Sequence, residues 1–150
     1  LDAVIEQARE YAGHISCFCD EKGNTLRRFP KPEVFCLPLD AIQPSQFYAD
    51  ELKVSAVATF IASEKDIIIP LTRREDRFIS LDGHTRLYVA SRLGFEKVYG
   101  FISPADGYIY DFASLAAARG ILSPRDITLL PHEEYCRLWL GFCREYFETH

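Results

Sequence analysis

The chain has 150 residues, 48% of them hydrophobic and 26% charged, with a net charge of −5. This length suits one folding unit, so we take residues 1–150 as a single domain. Extensive contact with duplex DNA requires many lysines and arginines, and the negative net charge therefore argues against nucleic-acid binding. The longest apolar run, Ile67–Leu71, suits a buried strand rather than a bilayer, and no signal-peptide pattern opens the chain. We expect a cytoplasmic protein without membrane association.

The N-terminal part predicts a helix followed by a β-hairpin. Leu1–Ala12 has an apolar stripe at helical spacing, and Gly13 can end that helix. The segments 14–19 and 25–29 predict two strands, because residues 20–24 carry the polar and glycine composition of a turn.

The next part predicts short strands around two helices. At least one strand is expected within 34–42, and Asp50 can cap a helix that carries Val54, Val57, Phe60 and Ile61 at helical spacing. Further along, the expected elements are a strand at 67–72, a hairpin turn at 73–77, a strand at 78–81, a helix at 85–93 and a strand at 97–102. The strand–helix–strand order at the end of this series predicts a crossover with parallel pairing.

The C-terminal part predicts mainly helices. Residues 111–119 should be helical and end at Gly120, and Ser123 followed by Pro124 is typical of a helix start. A last helix is expected over 132–147, with its aromatic stripe, including Trp139, packed against the body of the protein.

The segment Asp82–Arg86 is the main candidate for chemistry. A glycine at a strand-to-helix transition lets a ligand approach the backbone, and the first amides of a helix have no partners within it. The amides of His84, Thr85 and Arg86, together with the Arg86 guanidinium, would suit a phosphate group. Asp82 would hold a divalent cation, orient Arg86 or take a proton from a substrate hydroxyl. The alternative is an ordinary turn in which Asp82 only caps a helix.

His84 itself has two interpretations. Its imidazole could donate a hydrogen bond to the phosphate or transfer a proton, or its amide alone could matter while the ring packs aside.

The segment Leu37–Ile102 resembles the ParB/sulfiredoxin superfamily. The resemblance implies an α+β fold in which a small mixed β-sheet is flanked by helices, with a core of about residues 34–103 and extra N- and C-terminal helices. In that family a D-G-H-x-R or G-x-x-R loop opens the helix that cradles nucleotide phosphates. The matching residues are Leu37-Pro38-Leu39-Asp40-Ala41-Ile42-Gln43-Pro44-Ser45-Gln46, Ile69-Pro70-Leu71, Phe78-Ile79-Ser80-Leu81-Asp82-Gly83-His84-Thr85-Arg86, Ala90, Leu93-Gly94 and Val98.

The branches of this superfamily differ in activity. His84 occupies the place where sulfiredoxins carry a cysteine, and this argues against sulfinic acid reduction. The loop is closest to that of the free-serine kinases, which phosphorylate an amino-acid hydroxyl with ADP or ATP. Those kinases carry a glutamate as base where this chain has Gln46, a neutral side chain. Gln46 could still orient a substrate, and Asp50 or Glu51 could replace the missing base, although both more simply mark the start of a helix.

The resemblance therefore implies nucleotide binding, extending to phosphoryl transfer from ATP or ADP to a small hydroxyl compound with Mg²⁺. The candidate catalytic residues are Asp82, His84, Gln46 and Glu51. The candidate cofactor-binding residues are Gly83, His84, Thr85, Arg86 and Ser45, with Asp82 as the metal ligand. Two alternatives stay open: a non-catalytic nucleotide- or anion-sensing module, and a ParB-like nucleic-acid-binding or nuclease protein. A nucleotide, a small-molecule substrate and a second copy of the chain are the expected partners.

The five cysteines predict reduced thiols. Cys17, Cys19 and Cys36 with His14 give a weak metal-binding pattern, and thiols packed in the core are the favoured interpretation. Cys136 and Cys143, seven residues apart, are expected on one helical face.

Overall fold

The computed structural model describes residues 1–150, except for the side chains of residues 10 and 11. The α+β class predicted from the sequence is confirmed. The helices are α1 (Asp2–Tyr11), α2 (Glu51–Ala58), α3 (His84–Arg92), α4 (Gly107–Ala118), α5 (His132–Tyr135) and α6 (Gly141–Thr149). The strands are β1 (Cys17–Cys19), β2 (Thr25–Arg28), β3 (Phe35–Pro38), β4 (Ile42–Gln43), β5 (Tyr48–Asp50), β6 (Ile68–Arg74), β7 (Arg77–Ser80), β8 (Lys97–Ile102) and β9 (Thr128–Leu130).

The central sheet is mixed and has five strands in the order β3-β8-β6-β7-β4. β6 and β7 form the predicted antiparallel hairpin, and α3 then carries the chain to β8. β8 pairs in parallel with β6, at Ile68↔Tyr99, and does not pair with β7. The prediction that α3 joins two parallel strands was therefore wrong. The connection between the parallel strands β6 and β8 consists of β7 and α3, because β7 occupies the other edge of β6.

Two smaller sheets lie outside this one. β1 and β2 form the predicted N-terminal hairpin. β5 pairs in parallel with β9, which brings Asp50 opposite Leu130 and so ties the C-terminal region to the segment before α2. The sequence did not predict this pairing. Ser123 does cap a turn as expected, but the turn is a single 3₁₀ turn (Pro124–Asp126) that leads into β9 rather than into a helix.

The core consists of two main apolar clusters. Aliphatic side chains of β6, β8 and α3 form the first, with Ile69, Leu71 and Leu87 fully buried. Burying one such side chain contributes about 1.5–3 kcal/mol. The second cluster is aromatic and joins the C-terminal helices to the rest of the chain. Its centre is formed by Phe47, Phe112 and Trp139. Trp139 belongs to the aromatic stripe predicted for the last helix, and its role as a packing residue is confirmed.

The last helix is interrupted by a π-helical turn over Cys136–Leu140 that the sequence did not predict. Such turns are rare and occur often at functional sites. Among the residues that the structure describes, no helix is long and apolar enough to cross a membrane.

Candidate functional site

The predicted strand-to-helix transition lies where the sequence placed it. β7 ends at Ser80 and α3 begins at His84, with Gly83 as its N-cap in the left-handed region (φ +79°). A side chain at Gly83 would lie 2.6 Å from Cδ1 of Ile69 and 2.8 Å from Nη2 of Arg86. Glycine is thus required here both by its backbone angle and by the close packing of two side chains.

The amino end of α3 carries no cap from any side chain that the structure describes. The Asp82 carboxylate accepts a hydrogen bond from the amide of Gly83, before the first turn (2.7 Å). The first amides of the helix have no acceptor within it, and the helix dipole is positive at this end. These are the backbone features on which the sequence-based hypothesis of anion binding rests.

Arg86 lies beside that open end. Its guanidinium packs against Gly83 and donates from Nη1 to the carbonyl of Ile68 at 2.9 Å. Burial lowers the pKa of Arg86 from its usual value, while Asp82 opposes that shift. Even so, an arginine stays protonated, and a partly desolvated cation is stabilised electrostatically when an anion binds next to it.

The His84 ring is buried and is hydrogen-bonded within the protein through Nε2. The ring is 4% exposed, and its Nε2 accepts hydrogen bonds from the Ser45 amide (3.1 Å) and the Ser80 hydroxyl (2.8 Å). Because Nε2 accepts, the network assigns the proton of the neutral ring to Nδ1. Burial lowers the pKa of His84 to about 4, with Asp82 raising it and Arg86 lowering it further. The imidazole is neutral at pH 7 and holds the Ser45 loop on α3.

A cavity of about 170 Å³ adjoins the loop after β7. Ser45, Gln46, Asp82 and His84 contribute to its wall, so four predicted site residues do meet. The opposite wall is aromatic and comes from α4 and the C-terminal helices; it includes Tyr108, Phe112, Trp139 and Phe147. Pockets that hold drug-sized ligands measure roughly 300–1,000 Å³, so this cavity is smaller than such a pocket but large enough for a phosphate-sized group.

The other predicted site residues lie elsewhere. Gly83, Thr85 and Arg86 are at the amino end of α3 and do not line the cavity, and Glu51 is exposed in the first turn of α2. Gln46 donates from Nε2 to the carbonyl of Tyr48 at 2.7 Å and contacts the Tyr135 hydroxyl at 3.3 Å. Its amide nitrogen is therefore already engaged within the protein.

Asp82, the predicted metal ligand, is exposed and could offer one carboxylate to a metal ion. Within the part of the chain whose side chains are described, no group of three or more histidine, cysteine, aspartate or glutamate side chains could hold a metal ion. A Mg²⁺ ion at Asp82 would therefore depend on phosphate oxygens and water for its remaining ligands, as is usual for this ion.

The cysteines differ from the prediction of core thiols. Cys17, Cys19 and Cys36 are exposed, and Cys136 and Cys143 are half-buried. Cys143 lines the cavity, whereas Cys136 contacts His132, so the two do not share one environment. The π-helical turn that begins at Cys136 changes the regular helical spacing on which the prediction rested.

Protein-family models and curated proteins give no match to this chain. Among solved structures, the chain is similar to protein Atu1540 from Agrobacterium tumefaciens, with 19% sequence identity and a TM-score of 0.39. The similar region covers 64% of this chain and 53% of that protein, so it spans about half of the neighbour's length. A likeness of this degree does not assign a family.

Proposed function

We propose that this protein is a ParB/sulfiredoxin-type domain that binds the phosphate group of a nucleotide or another small phosphorylated molecule at the amino end of α3. The observation that carries the proposal is that no described side chain caps the first turn of α3, with the Arg86 guanidinium packed against Gly83 beside it. Backbone amides, helix dipole and a forked cation there all favour the same ligand, an anion with several oxygens.

Asp82 determines how that phosphate is bound. The Asp82 carboxylate next to the amino end of α3 repels a bare phosphate, whereas a Mg²⁺ ion between them converts the repulsion into attraction. The ligand is therefore a magnesium–phosphate complex. The adjoining cavity, lined by Asp82 and His84, is smaller than the usual pocket for a drug-sized ligand, so the base of a nucleotide bound at the amino end of α3 would lie outside it.

A binding role without catalysis fits the site best. The His84 imidazole is buried and neutral, with Nε2 already hydrogen-bonded to Ser45 and Ser80, and Gln46 cannot serve as a base. The kinase alternative rests on Asp82, the one exposed carboxylate in the cavity wall. Turnover of ATP with a panel of hydroxyl amino acids, compared between the parent and Asp82→Ala, separates the two functions.

Calorimetric titration with ADP, ATP and inorganic phosphate, each with Mg²⁺ and with a chelator, tests the binding proposal. Arg86→Lys removes the forked donor and should weaken magnesium-ADP binding about tenfold. The matched control is Arg92→Lys, at the other end of α3, which should leave the affinity unchanged.

Asp82→Asn provides the second arm of this test. It should abolish the difference between titrations with and without Mg²⁺, because the carboxylate that binds the ion is gone. The proposal fails if no phosphate ligand binds the parent protein, or if Arg92→Lys weakens binding as much as Arg86→Lys does.

A further inference from the structure

Three side chains outside the α3 site form a connected chain of contacts. Nδ1 of His132 lies 2.7 Å from Oδ2 of Asp50, and Nε2 of the same ring lies 3.6 Å from Sγ of Cys136. His132 and Cys136 are four residues apart on the last helix and so face the same side of it. Asp50 comes from the end of β5, which the parallel pairing with β9 holds beside that helix.

Asp50 is held firmly in place. It is 1% exposed, and its second carboxylate oxygen accepts from the Leu52 amide as the cap of α2 (2.9 Å). Burial raises the pKa of Asp50, but the hydrogen bonds from His132 and Leu52 outweigh burial, and the net pKa lies below its ordinary value. The carboxylate is therefore ionised at neutral pH.

An ionised Asp50 determines which nitrogen of His132 carries the proton. The carboxylate only accepts, so Nδ1–H of the ring donates to it. Nε2 is then the free acceptor, and it faces the thiol of Cys136. This is the arrangement by which an aspartate orients a histidine base toward a nucleophile.

The position of Cys136 differs from that of the neighbouring Cys143. Cys136 is half-buried, has an imidazole partner and begins the π-helical turn. Cys143 packs into the aromatic cluster, and burial raises the pKa of its thiol. The two thiols thus share a helix but differ in the feature that makes a thiol nucleophilic, a nearby proton acceptor.

We propose that Cys136 is a nucleophilic thiol that exchanges with small-molecule disulfides, with His132 as its base and Asp50 as the residue that positions the base. The thiol proton moves from Sγ of Cys136 to Nε2 of His132. The thiolate then attacks one sulfur of the disulfide, and a new S–S bond to Cys136 forms as the original S–S bond breaks. The departing thiolate takes the proton from His132, so the products are a mixed disulfide at Cys136 and one free small thiol.

The surroundings of Cys136 favour a disulfide over an acyl group. An acyl substrate develops an oxyanion that needs preorganised hydrogen-bond donors, commonly the backbone amide of the nucleophile itself. The Cys136 amide already donates within the helix, to the carbonyls of His132 and Glu133. Disulfide exchange develops its charge on sulfur and needs only a thiolate and access to it.

The test follows each thiol of the native protein during reaction with 4,4′-dithiodipyridine. Trypsin separates Cys136, in peptide 126–137, from Cys143, in peptide 138–144, so one sample gives both rates. Cys36 lies in a third peptide and serves as an exposed thiol without a histidine partner. At pH about 7, Cys136 should react roughly tenfold faster than Cys36 and Cys143. Equal rates for Cys136 and Cys36 in the parent protein would overturn the proposal without any variant.

Two variants locate the base. His132→Gln should bring the rate of Cys136 down to that of Cys36, and added imidazole should restore the rate in His132→Ala. Loosening of the helix alone would instead raise the rate of Cys143, so the Cys143 peptide monitors folding in the same sample. A Cys136 rate that His132→Gln leaves unchanged would refute the role of His132, and failure of imidazole to rescue would show that the ring acts only structurally.

Discussion

Acidification should destabilise this protein through the buried imidazole of His84. The pKa of His84 is about 4 in the folded protein, against 6.5 for an unperturbed histidine. Because the unfolded chain binds this proton more tightly, the contribution of His84 is fully present above pH 6.5 and is lost as the pH falls toward 4. The shift corresponds to about 3 kcal/mol of unfolding free energy across that window.

The loss has a defined structural origin. A protonated ring would lose Nε2 as the acceptor for the Ser45 amide and would place a charge in a site from which water is excluded. Other titratable groups also make the stability depend on pH, either in the same pH range or in a lower one. Burial and Arg86 also lower the pKa of His14, which adds to the same loss. The hydrogen-bonded carboxylate of Asp50 has a lowered pKa, so its contribution is lost only at lower pH.

Denaturant unfolding at several values between about pH 7.5 and 4.5 measures this slope. The variant His84→Gln should be less stable at neutral pH yet show a much shallower dependence on pH, since the titrating group is gone. His150→Gln, at the exposed C-terminus, should keep the slope of the parent protein. In parallel, the ring-proton NMR signal of His84 should titrate near pH 4. A midpoint near 6.5, or equal slopes in the parent and in His84→Gln, would refute this account.

Two further predictions concern the amino end of α3 and the cavity beside it. Gly83→Ala should lower the free energy of unfolding by about 2–4 kcal/mol, because it combines strain at φ +79° with a Cβ that would lie 2.6 Å from Ile69. Gly94→Ala, at φ +80° with no neighbour within 4 Å, should lower it by only about 1 kcal/mol in the same denaturant assay. Equal losses would show that packing at Gly83 is unimportant. Phe147→Ala, which removes an exposed aromatic wall of the cavity, should strengthen nucleotide binding relative to inorganic phosphate in calorimetry, and unchanged relative affinities would mean that the C-terminal helix does not restrict the ligand.

The sequence by itself determined several local elements of this protein. The strand at Lys97–Ile102 was predicted with its exact bounds, and Gly94 and Gly120 end α3 and α4 as predicted, both with positive φ. Asp50 caps α2 as its position indicated. These features depend on residues a few positions apart, so propensity, capping and periodicity are enough to predict them.

Only the tertiary structure decided which distant residues meet. The pairing of β5 with β9 brings together segments about 80 residues apart, and with it the Asp50–His132 contact, whose partners are 82 residues apart. The position of the His84 ring likewise depends on a hydrogen bond from Ser45, 39 residues away. Contacts of this kind form because the apolar clusters bring whole elements together, and no local pattern records which polar side chains will then face each other.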